Sequence, residues 1–344
     1  MSAEYLPLLA AVAPVFVIIG LGWLIRRIGW LTEEADASLL RVIVNLLYPC
    51  LILDTILGNR ALEKIGNVLL APVAGFVTVA LGYLICFAAT PLFGAGEPRQ
   101  RRTFAFTTGI YNYGYIALPI AQMRFGAETS GVLFIHNVGV EIALWTVGIM
   151  LISGKGMDPG KARRFHLRLP SKRNSDGGKE LLSFPYRIPA FINAPVIAIL
   201  AAAALHFTGA RTWLPGVALA SIHTLGGIAI PLGILLTGAT FADQMSALGA
   251  RSRALTTAGA CLLRLGVLPL LMLALARWLP APIELRRVIM IQAAMPCAMI
   301  PVILAKHYGG DPAAAMRIIL FTSALGLLTI PFWLQLGLRW VGAN

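Results

Sequence analysis

Charge is scarce in this chain. Asp, Glu, Lys and Arg make up 12% of its 344 residues, whereas 58% are hydrophobic. A soluble domain carries about 25% charged residues, so an ordinary water-facing surface is excluded and lipid must serve as solvent for most of the length. There are only four cysteines, Cys50, Cys86, Cys261 and Cys297. All lie inside apolar segments, which excludes a disulfide framework or a CxxC metal site and reads as small buried apolar residues. HExxH, GxSxG, Walker and paired intramembrane Asp motifs are absent as well. The chain is therefore not expected to be an enzyme or a self-contained ATP-driven pump, and no cofactor or metal is expected. Met1 to Glu4 contain no basic residue, and the apolar run continues to Ile25, so the start reads as a retained first span and not a cleaved signal.

What is present is a series of ten mainly apolar stretches, approximately 6–25, 38–57, 67–91, 103–122, 129–153, 189–205, 215–240, 254–276, 288–304 and 313–338. Each is about as long as a bilayer crossing requires, so the expected fold is an all-α, ten-span membrane protein. The net charge of +13 does not point to nucleic acid, because the basic residues sit between apolar runs and not along one face among stacking aromatics. With the N-terminus outside, the inner loops hold 17 Lys and Arg and the outer loops and termini eight. That imbalance favours both termini on the outer side of, as expected, a bacterial inner membrane. Segment 154–188 is polar, basic and aperiodic; it reads as a cytoplasmic linker, or as a site of attraction to anionic lipid. It separates 1–153 from 189–344.

These two parts match one another. Ala13-Pro14-Val15 recurs as Ala194-Pro195-Val196, Pro49 as Pro231, Pro119 as Pro301, and Phe125-Gly126 as Tyr308-Gly309, at offsets of 181 to 183. Five spans per repeat is an odd number, so the second repeat enters from the opposite side. This is the inverted arrangement of many carriers, which hold substrate near the midplane; channels share it.

The fourth and ninth spans are the least regular. One reads Thr107-Thr108-Gly109-Ile110-Tyr111-Asn112-Tyr113-Gly114-Tyr115, then Pro119; the other reads Gln292-Ala293-Ala294-Met295-Pro296-Cys297, then Pro301. Mid-span Asn112 and Pro296 predict broken helices. The N-termini of the second halves would then face a small anion such as a carboxylate; the plainer alternative is a proline kink. Tyr111, Tyr113, Gly114, Gln292, Pro296 and Cys297 join Asn112 as candidate substrate contacts, and the three tyrosines as candidate walls of one pocket. Glu141 and Arg264 fall mid-span, where charges are usually paired. They are expected to pair with each other, as a structural staple or with Glu141 as a proton site. His136 is either a relay member or a hydrogen-bonded membrane histidine.

Asn112 to Pro119 resembles the Asn-x6-Pro stretch of the plant PIN-type auxin carriers. Gln292 to Pro301, followed by Ala305-Lys306-His307-Tyr308, resembles their ninth helix. Pro14, Pro49, Pro119 and Ile330-Pro331 fit the wider auxin efflux carrier family, which includes bacterial permeases. Tyr111 and Cys297 depart from the plant pattern, which places a proline and a polar residue there. The resemblance covers nearly the whole chain. It implies a fold like those of bile acid:sodium symporters and sodium/proton antiporters, with spans 4 and 9 crossing at their breaks. It further implies a scaffold of spans 1, 2, 6 and 7, which offers the face for a homodimer, and a transport domain of the other six. The implied activity is elevator-like transport of an auxin-like or dicarboxylic acid such as malonate or malate. A channel and a ligand-sensing receptor are the alternatives.

Overall fold

A computed structural model describes residues 5–154, 194–245 and 254–342. Most of the expected linker, and Arg251 and Arg253, lie outside the described residues. Among those described, all regular structure is helical: α1 (Tyr5–Arg27), α2 (Glu33–Val42), α3 (Tyr48–Ile56), α4 (Ile65–Ala89), α5 (Pro98–Gly109), α6 (Ala117–Ala143), α7 (Ile149–Ser153), α8 (Ala194–Phe207), α9 (Gly216–Met245), α10 (Ala254–Leu262), α11 (Leu268–Trp278), α12 (Ile283–Ala294), α13 (Ile300–Tyr308) and α14 (Pro312–Val341). Three π turns, Ile43–Leu47, Leu144–Gly148 and Leu263–Val267, join α2 to α3, α6 to α7 and α10 to α11.

Helices dominate because apolar surroundings leave every unpaired backbone group costly, and a helix satisfies its own. Six helical stretches among the described residues are long and apolar enough to cross a membrane: Glu34–Ile56, Ile65–Phe93, Ala117–Ser153, Gly216–Asp243, Ala254–Trp278 and Pro312–Val341. The third contains a corner. Gly126 adopts φ 76° and ψ −170°, which a residue with a Cβ rarely does. The stretch is thus two helices, 117–125 in line with the expected fourth span and 127 onward with the expected fifth. Gly309, at φ 80° and ψ 22°, ends α13 before α14 as a left-handed cap.

Packing relies on small residues where backbones approach, as is usual when lipid competes equally well for apolar side chains. A Cβ on Gly139 of α6 would stand 1.7 Å from the Pro72 carbonyl oxygen of α4. Between α1 and α9 the closeness is reciprocal: a Cβ on Gly22 would meet the Leu235 carbonyl, and one on Gly238 the Ile19 carbonyl. α3 packs on α8 and α9, whereas α4 packs on α5 and α6, and α12 on α6, α11 and α14. Leu69, Leu84, Ile197, Leu200 and Phe332 are exposed, as lipid-facing side chains are. Trp30, Trp213 and Trp278, at 81%, 82% and 74% exposure, sit near helix ends, where indoles favour the headgroup region. The molecule is a multi-pass helical membrane protein.

Candidate functional site

α5 ends at Gly109, and Ile110 is extended, with φ −104° and ψ 133°. α12 ends at Ala294, and Met295 is extended, with φ −76° and ψ 142°. The second ending has a direct cause: Pro296 drives the residue before it out of the helical region and has no N–H to continue the ladder. The two extended pieces lie antiparallel, with Tyr111 opposite Cys297. Asn112 N–H donates to the Pro296 carbonyl at 2.8 Å, and Ala298 N–H to the Ile110 carbonyl at 3.1 Å. Each break thus satisfies backbone groups freed by the other, so non-helical backbone is tolerated inside protein.

The chain re-enters helix at Ala117 and Ile300. Asn112 Oδ1 accepts the Ile116 N–H at 3.3 Å, bracing the turn that leads into α6. Pro119 and Pro301 lie in the first turns of α6 and α13, where a missing donor costs nothing.

The three tyrosines diverge, contrary to the expectation that they wall a single pocket. Tyr111 is fully buried; its hydroxyl shares a 2.8 Å hydrogen bond with Thr78 of α4, and the Arg264 guanidinium sits 5.5 Å from its ring centre. Tyr113 donates to Glu141 Oε1 at 2.8 Å. Tyr115 packs edge-on against Tyr48 at 6.2 Å and lies over Gly233 of α9. The cause is the backbone, which turns after Asn112 instead of continuing as a strand. Gly114, between Tyr113 and Tyr115, has open space where a Cβ would stand.

Gln292 is buried and ties the two breaks together. Its Nε2 donates to Asn137 Oδ1 at 3.2 Å and to the Tyr113 carbonyl at 3.4 Å. Asn137 Nδ2 donates to the same carbonyl at 2.9 Å, while Gln292 Oε1 has no partner. The Cys297 N–H donates to Thr322 Oγ1 of α14 at 3.4 Å.

The expected Glu141–Arg264 ion pair does not form. Glu141 is engaged by Tyr113 and, through Oε2, by Trp145 Nε1 at 2.8 Å. Arg264 instead meets Met272 Sδ at 3.7 Å and the Tyr111 ring. Both positions are at mid-span depth, but depth does not fix which way a helix faces. His136 is fully buried beside the Tyr111 ring, 6.3 Å between centres. Neither of its ring nitrogens has a hydrogen-bond partner among the described residues.

Thr78, Asn137, Trp145 and Thr322 were not among the residues expected from sequence. Trp145 was within reach of sequence reasoning, being four residues after Glu141 and so on the same helix face. The threonines carry no such signal. Away from the crossing, a cavity of about 240 Å³ opens at the end of α3, lined by Asp54, Thr55, Gly58, Asn59 and Glu128 among others. There Asn59 Nδ2 donates to the Ala127 carbonyl at 3.0 Å, fixing the corner at Gly126.

Residues 7–334 match the family model described as membrane transport protein. The chain is 24% identical over 324 residues to an uncharacterized transporter of Methanothermobacter thermautotrophicus, covering 94% of this chain and 96% of that protein. It is 22% identical over 321 residues to an uncharacterized transporter of Methanocaldococcus jannaschii, covering 93% and 95%. With nearly its whole length matched, the chain belongs to the membrane transport protein family, that of the auxin efflux carriers.

Proposed function

We propose that this protein is a secondary carrier that exports a small organic anion, an auxin-like aromatic carboxylate or a dicarboxylate such as malonate or malate, by an elevator-like movement in a bacterial inner membrane. The observation that carries this reading is the pair of extended breaks hydrogen-bonded to one another. Such interrupted helices hold substrate in carriers, because they bring helix ends and free backbone to the membrane interior. The starts of α6 and α13 lie next to the crossing, and helix N-termini favour negative charge.

On this reading the chain makes ten crossings as two inverted five-helix repeats. The like-placed corners at Gly126 and Gly309 and the constant-offset prolines support it. α1, α3, α8 and α9, which pack among themselves, form the scaffold and offer the face for a homodimer. The remaining spans form the moving body, and Tyr115 on Tyr48 and Gly233 marks the sliding boundary. Substrate sits beside Asn112, Tyr113, Gly114 and Gln292, with Pro296 and Cys297 shaping the far side. Glu141, held by Tyr113 and Trp145, is the proton site coupled to transport.

The test is counterflow in proteoliposomes loaded with malonate, malate or indole-3-acetate. Saturable exchange of labelled acid is expected for one of the three. Flux that never saturates would identify a channel, and binding without flux a receptor; either would overturn the carrier reading.

A further inference from the structure

Among the described residues Arg264 is the one arginine that is buried. The Arg26 side chain, 7% exposed, pairs with Asp36 and with Asp243 at 3.2 Å. Arg99 gives two hydrogen bonds, at 2.6 and 3.0 Å, to the Gly310 carbonyl. Arg264 is 1% exposed, yet among the described residues its one acceptor is the Met272 thioether at 3.7 Å; its Nε has no hydrogen-bond partner, which is true of Arg102 and Arg286 as well. A guanidinium presents five N–H donors, whereas a thioether is a weak acceptor. The face of Tyr111 contributes a cation–π attraction, which does not replace the hydration that burial removes. Glu141, the other mid-span charge, is committed to Tyr113 and Trp145.

The surroundings have room in their hydrogen bonding for an acceptor that the described residues do not supply. Arg264 lies in the π turn Leu263–Val267, and such turns recur at functional sites. Trp333 of α14 fixes this one by donating to the Leu265 carbonyl at 2.7 Å. α5 and α14 both pack on the turn, and both carry buried hydroxyls without partners: Thr107 and Thr108 on α5, Ser323 on α14. The Cys86 and Cys297 thiols lie within electrostatic reach of the guanidinium. A buried cation without a strong acceptor, in a turn packed by two helices that carry orphaned hydroxyls, has the chemistry of an anion site.

We propose that Arg264 is the cationic centre of an anion subsite behind the crossing, backed by Tyr111 and completed by the hydroxyls of α5 and α14. Its ligand is a small anion, either a resident halide or the carboxylate of the transported acid. The second source rests on the carrier reading; the first does not.

The experiment titrates chloride, malonate and indole-3-acetate separately into the purified full-length protein in detergent, following Tm, with potassium methanesulfonate holding ionic strength constant. At least one anion is expected to raise Tm saturably. Its half-maximal concentration should rise at least tenfold in Arg264→Gln and at least threefold in Arg264→Lys and in Ser323→Ala. Chloride acting alone would identify a resident halide. An organic acid acting in competition with chloride would identify the substrate carboxylate. Saturation by chloride, dependent on Arg264, with no counterflow of any acid would uphold the subsite while removing the carrier reading. No saturable effect of any anion, or one unchanged in the variants, would overturn the proposal and leave Arg264 only a counter-charge to the carbonyl ends of α5 and α12. If Arg264→Gln does not fold, the Lys and Ser323 variants decide.

Discussion

The two breaks that meet at the centre of this protein are built differently. The first, between α5 and α6, runs from Ile110 to Ile116; beyond its buried start, Tyr113, Gly114 and Tyr115 are only half-buried. The second, between α12 and α13, is shorter, and Met295 through Ala298 are all buried. The first carries the side chains that reach other elements, Tyr113 to Glu141 and Tyr115 to Tyr48, while Asn112 bonds back to Ile116. The second, shaped by proline, meets it mainly through backbone. Under the proposed function, the first is the surface that reads the substrate and the second is the clamp that holds this surface open.

The largest effect is expected from closing the space behind the reading surface. A Cβ at Gly109 would stand 2.7 Å from the Tyr83 backbone nitrogen and 2.6 Å from its ring, whereas at Gly114 it would meet nothing within 4 Å. Overpacking of this kind costs about 1–3 kcal/mol. Gly109→Ala should lower Tm by several degrees and abolish flux, while Gly114→Ala should keep the wild-type Tm and change only substrate affinity. Equal losses of Tm would break the distinction between the two faces.

Next comes the contrast between Asn112 and Cys297. Asn112→Ala deletes the acceptor for Ile116 N–H, a loss of about 1 kcal/mol, and removes a side chain from the reading surface. Flux should fall at least tenfold with little change in Tm. Cys297→Ala leaves the paired backbone intact and should keep the substrate half-saturation concentration within twofold. The reverse ranking would make the second break the reading surface.

The smallest effects concern Glu141. Glu141→Gln should leave substrate binding near wild type and remove the dependence of flux on a pH gradient, measured in proteoliposomes; undiminished dependence would place proton coupling elsewhere. Tyr113→Phe removes one donor to the carboxylate, a change of about 1 kcal/mol, and should lower Tm slightly without abolishing that dependence.

Much of this architecture was legible in the residues because its causes are local. Pro296 dictates an extended Met295, and Gly126 and Gly309 permit corners that no other residue adopts cheaply. The places of the breaks and of the helix ends beside them follow from such rules. The fates of Tyr111, Tyr113 and Tyr115 do not, because they depend on a turn made after Asn112 in the presence of the other break. Nor does the separation of Glu141 from Arg264, since hydrophobicity reports depth and not azimuth. The role of Gln292 as a brace needed Asn137 and the Tyr113 carbonyl to be brought together from three elements. The affinity for a substrate is less legible still, because it depends on the same long-range assembly.

The mutual hydrogen bonds of the breaks also bear on biogenesis. Ile110 and Asn112 are synthesised well before Pro296 and Ala298, with nearly two hundred residues between them. Until that later segment arrives, the first break has no partner for the groups it exposes, and hydrocarbon supplies none. A nascent chain halted after α7 must therefore keep this region wet, sheltered by insertion machinery, or wound as uninterrupted helix. Whichever of these holds, the crossing forms only after α12 and the segment beyond it have been made.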